Sequence, residues 1–194
     1  MTIGRIKEDR GEVAIFVYSQ YGGIVQEFIE GPCDVILNTD NLPVLSEVIG
    51  LAYDGGSPFQ AAVYFINLAR IIQVKFGVPF FDVYDSHCAS SPVSIAVRGT
   101  IGFCISDYRE FIKLHRLNSF TLEDFQRQIR DVVVRYVKDT IIKTAATNNI
   151  PVIQMEAKIT EINDILEQKI STRLQEDFGV TVSKVDIGAI EVIK

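Results

Sequence analysis

The apolar positions of this chain follow two rhythms, and the change between them is the first structural signal. From Glu12 to Ser19 the chain is rich in Val, Ile, Phe and Tyr, a Tyr21-Gly22-Gly23 turn follows, and Ile24 to Ile29 is again apolar. Gly31-Pro32 breaks the pattern before Asp34 to Leu37. This order predicts an antiparallel meander of three strands. Asp40 or Asn41 can cap a short helix with Pro43 in its first turn and Val44, Leu45, Val48 and Ile49 on its apolar face. Asp54 to Pro58 reads as a loop, Ala61 to Asn67 and Arg70 to Phe76 as a further hairpin, and Phe80 to Tyr84 as a short strand.

The clearest alternation comes next. Ile95, Val97, Ile101, Phe103 and Ile105 share one face of a long strand with Gly99 in step, while Arg98 and Thr100 point the other way. At Ser106-Asp107 the period becomes that of a helix. Asp107 and Glu110 have capping-box spacing and predict a short helix to about Leu117. Thr121 caps a longer helix, over 121–143, whose expected buried face is Leu122, Phe125, Ile129, Val132/Val133 and Tyr136. Its outer face carries Glu123–Arg127, Asp131–Arg135 and Arg135–Asp139 at the four-residue spacing of helical ion pairs.

After a loop at 147–151, Ile159, Ile162, Leu166, Ile170 and Leu174 mark one more amphipathic helix, with Thr160 as the expected cap. Gly179 stands where a left-handed residue ends a helix without steric cost. Val180, Val182, Val185 and Ile187 then form a strand whose alternation slips by one, predicting a bulge at Ser183-Lys184.

Composition narrows the function classes. The chain has 194 residues, enough for one domain or two small subdomains, and 47% of them are hydrophobic. A net charge of −6 without a dense Lys/Arg cluster argues against nucleic acid as a partner. Cys33, Cys88 and Cys104 are odd in number and widely spaced, which fits a reducing compartment better than a disulfide framework. The first residues do not form a signal peptide, and no run approaches the ~20 apolar residues of a membrane span.

Candidate chemistry is sparse. Asp82, Asp85 and His87, beside Cys88, form the best cluster of metal-ligand types, yet their spacing matches no metal motif with a mechanism, and the other histidine, His115, lies on a charged helix. Cys88 and Cys104 lack a base placed to activate a thiolate. Gly22-Gly23 and Gly55-Gly56-Ser57 are too short to cradle phosphate. The acid pairs Glu123-Asp124 and Glu176-Asp177 read as solvated helix ends, and the basic residues Arg127, Arg130, Arg135 and Lys138 are interleaved with acids, as on a salt-bridged face. No catalytic, cofactor-binding or metal-binding residue is expected.

Taken in order, these segments resemble a known family. The strand ending Val97-Arg-Gly-Thr-Ile-Gly-Phe-Cys-Ile-Ser-Asp-Tyr108, two helices, the helix closing Leu174-Gln-Glu-Asp-Phe-Gly179 and the strand Val180-Thr-Val-Ser-Lys-Val-Asp-Ile187 resemble the SPFH or band 7 domain of stomatins, prohibitins and flotillins. Ile36 to Leu45 and Ser57 to Asn67 resemble its bacterial "virion core protein-like" branch. Many members have Asp-Pro where this chain has Asp107-Tyr108, a change expected to touch only the start of that helix. The membrane anchor and long C-terminal helical region of many members are not in this sequence, and we expect the chain to be part of a longer protein.

The resemblance implies an α+β fold, with a β-rich first subdomain over 1–105 and an α/β second subdomain over 106–194. It implies a non-enzymatic, oligomeric scaffold at the cytoplasmic face of a membrane or in the cytoplasm. The expected partners are other copies of the chain, with membrane lipids and membrane-associated proteins as further candidates. Arg135, Lys138, Val180 and Val182 are the residues expected at the oligomer contact. The alternative is a soluble adaptor that binds peptides along an exposed sheet edge. A small hydrolase built on the Asp82–His87 loop is a third, minor reading.

Overall fold

The computed structural model describes residues 2–20, 23–38, 61–84, 92–147 and 150–193. The chain divides into two compact units, Met1–Ala69 and Arg70–Lys194. The change from strands to helices does fall near Ser106, where the sequence suggested a boundary. The packing boundary lies earlier, because the two strands before Ser106 belong to the sheet on which the helices pack.

The first unit is all strand among its described residues. β1 (Thr2–Glu8) pairs antiparallel with β4 (Cys33–Asn38). β2 (Glu12–Gln20) lies between β3 (Gly23–Glu30) and β5 (Ala61–Asn67) in a second sheet. Val13, Ala14 and Ile15 of this central strand are fully buried, so β2 is covered on both faces. The expected three-stranded meander is therefore only a β2–β3 hairpin. β5 takes the other side of β2, and β4 turns to pair with β1 instead. A turn at Asp9–Glu12 joins β1 to β2, and Gly11 adopts a positive φ of 83° there. The expected helix from Asp40 or Asn41 and the loop at 54–58 lie outside the described residues.

In the second unit β6 (Ile72–Val83), β7 (Val93–Cys104) and β8 (Thr181–Ile193) form an antiparallel sheet in that order. β5 and β6, expected to form a hairpin, thus belong to different units. Phe80 to Tyr84 is not a separate strand. Phe80 lies in an irregularity between Val78 and Phe81, Phe81 to Val83 close β6, and Tyr84 follows it. One face of the sheet presents Val74, Phe76, Ile95, Val97, Ile101, Phe103, Val185 and Ile187, all buried. Gly99 sits among them because its Cβ would lie 2.4 Å from the Asp186 carbonyl oxygen and 2.6 Å from the Phe76 ring. The anticipated bulge is present, since Gly102 pairs Lys184 and Phe103 pairs Val182, leaving Ser183 over. Gly188 is left over in the same way between Ile187 and Ala189.

Two long helices pack on this sheet, and a short one packs against the second of them. α1 (Tyr108–Leu114) begins where Asp107 accepts hydrogen bonds from the amides of Arg109 and Glu110 at 2.9 and 3.1 Å. It ends at Leu114 rather than Leu117, because His115 leaves the helical conformation. α2 (Leu122–Thr147) begins at Thr121, whose hydroxyl accepts from the Asp124 amide and donates to its carboxylate. Its buried face is Phe125, Ile129, Val133, Val137 and Ile141. Leu122, expected inside, is 48% exposed, and Val132 and Tyr136 are only half-buried, since the inward stripe runs through Val133 and Val137. α3 (Ile159–Phe178) buries Ile162, Leu166, Ile170, Leu174 and Phe178. Thr160 lies inside its first turn and does not cap it. Two short 3₁₀ turns at Val152–Gln154 and Glu156–Lys158 lead into the helix, and Lys158 holds the cap position. Gly179, with φ 65°, closes the helix by donating to the Gln175 carbonyl at 3.0 Å. α2 runs along β6, α3 along β8, and the two helices touch.

Candidate interaction surface

Among the described residues, the side-chain types that could carry catalysis are scattered or engaged in packing. Asp82 is exposed and accepts a hydrogen bond from Ser94 on the neighbouring strand. Asp85, His87 and Cys88 lie outside the described residues. Among the described residues no group of three or more His, Cys, Asp or Glu side chains could hold a metal ion. Cys33 and Cys104 are free, half-buried thiols.

His115 does not sit on a charged helix face. It turns into a cluster with Phe111, Phe120, Phe125 and Phe178, at ring-centroid distances from 4.5 to 6.4 Å. Its Nε2–H donates to the carbonyl of Phe178 at 2.9 Å. The imidazole thereby ties the end of α1 to the last turn of α3, a structural use that its charged sequence neighbours hide. On α1, Lys113 is held above its ordinary value by a hydrogen bond from its Nζ to Glu110 (2.6 Å) and by that carboxylate's charge. The pair is exposed and marks no site.

The polar surface of α2 and α3 is more organised. Between them lies a groove of about 470 Å³ lined by Val132, Arg135, Tyr136, Lys143, Arg173 and Asp177, with Asp139 beside Lys143. Arg173 pairs with Asp177 at 2.7 Å and Lys143 with Asp139 at 2.8 Å. Arg127 pairs with Asp124, three residues away, rather than with Glu123. Asp131 and Arg135 are exposed and, among the described residues, hold no ion pair.

The four residues expected at an oligomer contact are not brought together. Arg135 is exposed at the groove. Lys138 lies over the Phe81 ring at 5.2 Å, drawn toward β6. Val180 is fully buried, so its side chain is unavailable to a partner: the residue directly after the left-handed Gly179 turns into the core. Val182 is half-buried opposite Phe103.

Sequence reasoning missed how the sheet edges are treated. β8 is the terminal strand on one side. The amide of Ile187 donates to Asn163 Oδ1 at 3.0 Å, and that of Val185 to Glu167 Oε2 at 3.3 Å. β6 is terminal on the other side, and the carbonyl of Lys75 accepts from Arg130 Nε at 3.0 Å. Both edges are thus occupied by helix side chains that would otherwise read as ordinary surface polars. The spacing of Asn163 and Glu167, one turn apart on the face beside the apolar stripe, was the available signal.

A first unit that is all strand among its described residues, followed by a three-stranded sheet with three helices inserted between its second and third strands, makes a mixed α+β architecture. The chain belongs to the SPFH domain–Band 7 family, whose sequence profile matches residues 5–193. No curated protein matches the chain. No helix among the described residues is long and apolar enough to cross a membrane.

Proposed function

We propose that this chain is a non-enzymatic scaffold that self-associates and gathers membrane patches or membrane-associated protein complexes. Scaffolding in association with membranes is the general role of the SPFH–Band 7 family. The observation that carries the reading here is the outer face of α2. It is a 26-residue helix, fixed along its whole inner side, that presents Asp131 and Arg135 outward with no ion pair among the described residues. A rigid face of fixed charges suits repeated contact with a defined partner better than it suits chemistry. We further read the chain as a member of the "virion core protein-like" branch, which its segments at 36–45 and 57–67 resemble, acting in the cytoplasm or at the cytoplasmic face of a membrane.

Strand addition by a bound peptide is the weaker reading for the second unit, because helix side chains already take backbone groups of β6 and β8. Light scattering on the chain over a range of concentrations, with co-sedimentation on anionic vesicles, tests the scaffold. A discrete oligomer that pellets with vesicles is expected. A monomer at micromolar concentration that ignores vesicles would overturn it.

A further inference from the structure

Every fourth residue of α2, from Glu123 to Lys143, alternates in sign: Glu123, Arg127, Asp131, Arg135, Asp139, Lys143. Read from the other end, the order is the same with the signs exchanged, and its midpoint is Val133. Val133 is fully buried and faces the core. Two residues along an α-helix turn the side chain by about 200°. Asp131 and Arg135 therefore straddle the side of α2 opposite the core, and both are exposed. Successive members of the series drift by about 40° around the axis. Arg127 and Asp139 consequently flank the central two, while Glu123 and Lys143 swing toward the sides.

A series with this symmetry is complementary to itself in one orientation. A two-fold axis lying across the outward face of α2, at the level of Val133, lays a second α2 antiparallel on the first. Asp131 of each copy then meets Arg135 of the other, and the flanking Arg127 and Asp139 carry opposite signs at the same two levels of the pair. Each contact occurs twice, as an isologous interface requires. A parallel pairing in the same register would set Asp131 against Asp131 and Arg135 against Arg135, which repel. The existing Arg127–Asp124 and Lys143–Asp139 pairs are exposed and exchange partners at little cost.

We infer that α2 is a homotypic docking helix, taking as its partner the α2 of a second copy in antiparallel orientation. The inference rests on the self-association proposed above and names its geometry. Arg135 is the central cation of the contact. Lys138, held toward Phe81, faces Gln128 across the axis and adds little. The contact is electrostatic, so it weakens as salt shortens the screening length to ~10 Å and below.

Sedimentation velocity on the whole chain tests this with Asp131→Arg, Arg135→Asp, the double swap, and an equimolar mixture of the two single variants. The wild type is expected to associate, and each single variant to lose at least tenfold in affinity because like charges now face each other. The double swap should recover association. So should the mixture, since one variant then offers two bases where the other offers two acids. If the single variants associate like the wild type, this interface is overturned while self-association stands. If they fail and the mixture also stays monomeric, the interface is likewise overturned. A wild type that is monomeric throughout overturns both readings.

Discussion

Truncating Asn163 and Glu167 to alanine should uncover the free edge of β8. Asn163 Oδ1 takes the amide of Ile187 at 3.0 Å and Glu167 Oε2 that of Val185 at 3.3 Å, and both bonds are partly buried. A typical hydrogen bond contributes about 0.5–1.5 kcal/mol, and leaving its partner buried and unmet costs about 1–3. Water can reach part of this edge, so the lower half of that range applies to Asn163→Ala, at about 1–1.5 kcal/mol. Glu167 offers a charged acceptor but at longer range, and about 1 kcal/mol is expected for Glu167→Ala. The two residues are one turn apart and hold amides two residues apart, so the double variant need not be additive, and about 2 kcal/mol is a fair expectation. Urea unfolding would read this as a lower midpoint at unchanged slope. Hydrogen exchange would read it as lost protection at Val185 and Ile187, with little change at Ile101 on the inner strand. Asn163→Asp and Glu167→Gln keep an oxygen acceptor and should stay within about 0.5 kcal/mol of wild type. If the double alanine variant keeps both its midpoint and the protection of those two amides, the helix side chains do not guard the edge and the reasoning fails.

Three further outcomes follow from the packing of the second unit. Gly99→Ala places a methyl 2.4 Å from the Asp186 carbonyl oxygen and 2.6 Å from the buried Phe76 ring, so a loss of about 2–3 kcal/mol is expected in urea unfolding. Thr140 is fully buried in α2 and its hydroxyl has no hydrogen-bond partner among the described residues, so the near-isosteric Thr140→Val should raise stability by about 1 kcal/mol, seen as a higher melting temperature. Gly179→Ala forces an L-residue to φ 65° with its Cβ 3.1 Å from the Phe111 backbone, and a loss of about 1–2 kcal/mol should appear in the same measurement.

Local signals in this sequence were legible where a single element decides them. The caps at Asp107 and Thr121, the left-handed Gly179 and the bulge at Ser183 all depend on neighbouring residues, and the structure has each where its residues put it. The alternation through Ile95, Val97, Ile101 and Phe103 was equally plain, because one face of β7 is buried and the other is not. Strand partnership was not legible. β2 has apolar residues on both faces, which says that it is central but not which strands flank it. β1 carries only two apolar residues and is held by pairing with β4, which leaves no periodic trace. Thr160 failed as a cap for a related reason: the 3₁₀ turns before α3 already supply the helical approach. At the candidate surface, the exposure of Arg135 could be read from charge and helical period. The burial of Val180 could not, since a valine just before an edge strand looks the same in sequence whether it faces a neighbour or the core.

The treatment of the two edges bears on how copies of this chain can meet. A three-stranded sheet invites its own copies at both margins, and unguarded edges grow without a natural limit. Here Arg130 reaches one margin, and Asn163 and Glu167 reach the other, so α2 and α3 each give part of their polar surface to closing the sheet. The same two helices present the remaining polar faces outward, and Asp131 and Arg135 on α2 hold no ion pair among the described residues. In the self-association we propose, contacts between second units would pass from backbone ladders, which accept almost any extended chain, to a pattern of side-chain charges, which accepts only its complement. For a scaffold this division matters: each exposed ion pair contributes only ~0.2–1 kcal/mol, so a single contact is weak and reversible. Many copies held at one surface would make the sum strong without making any one contact permanent.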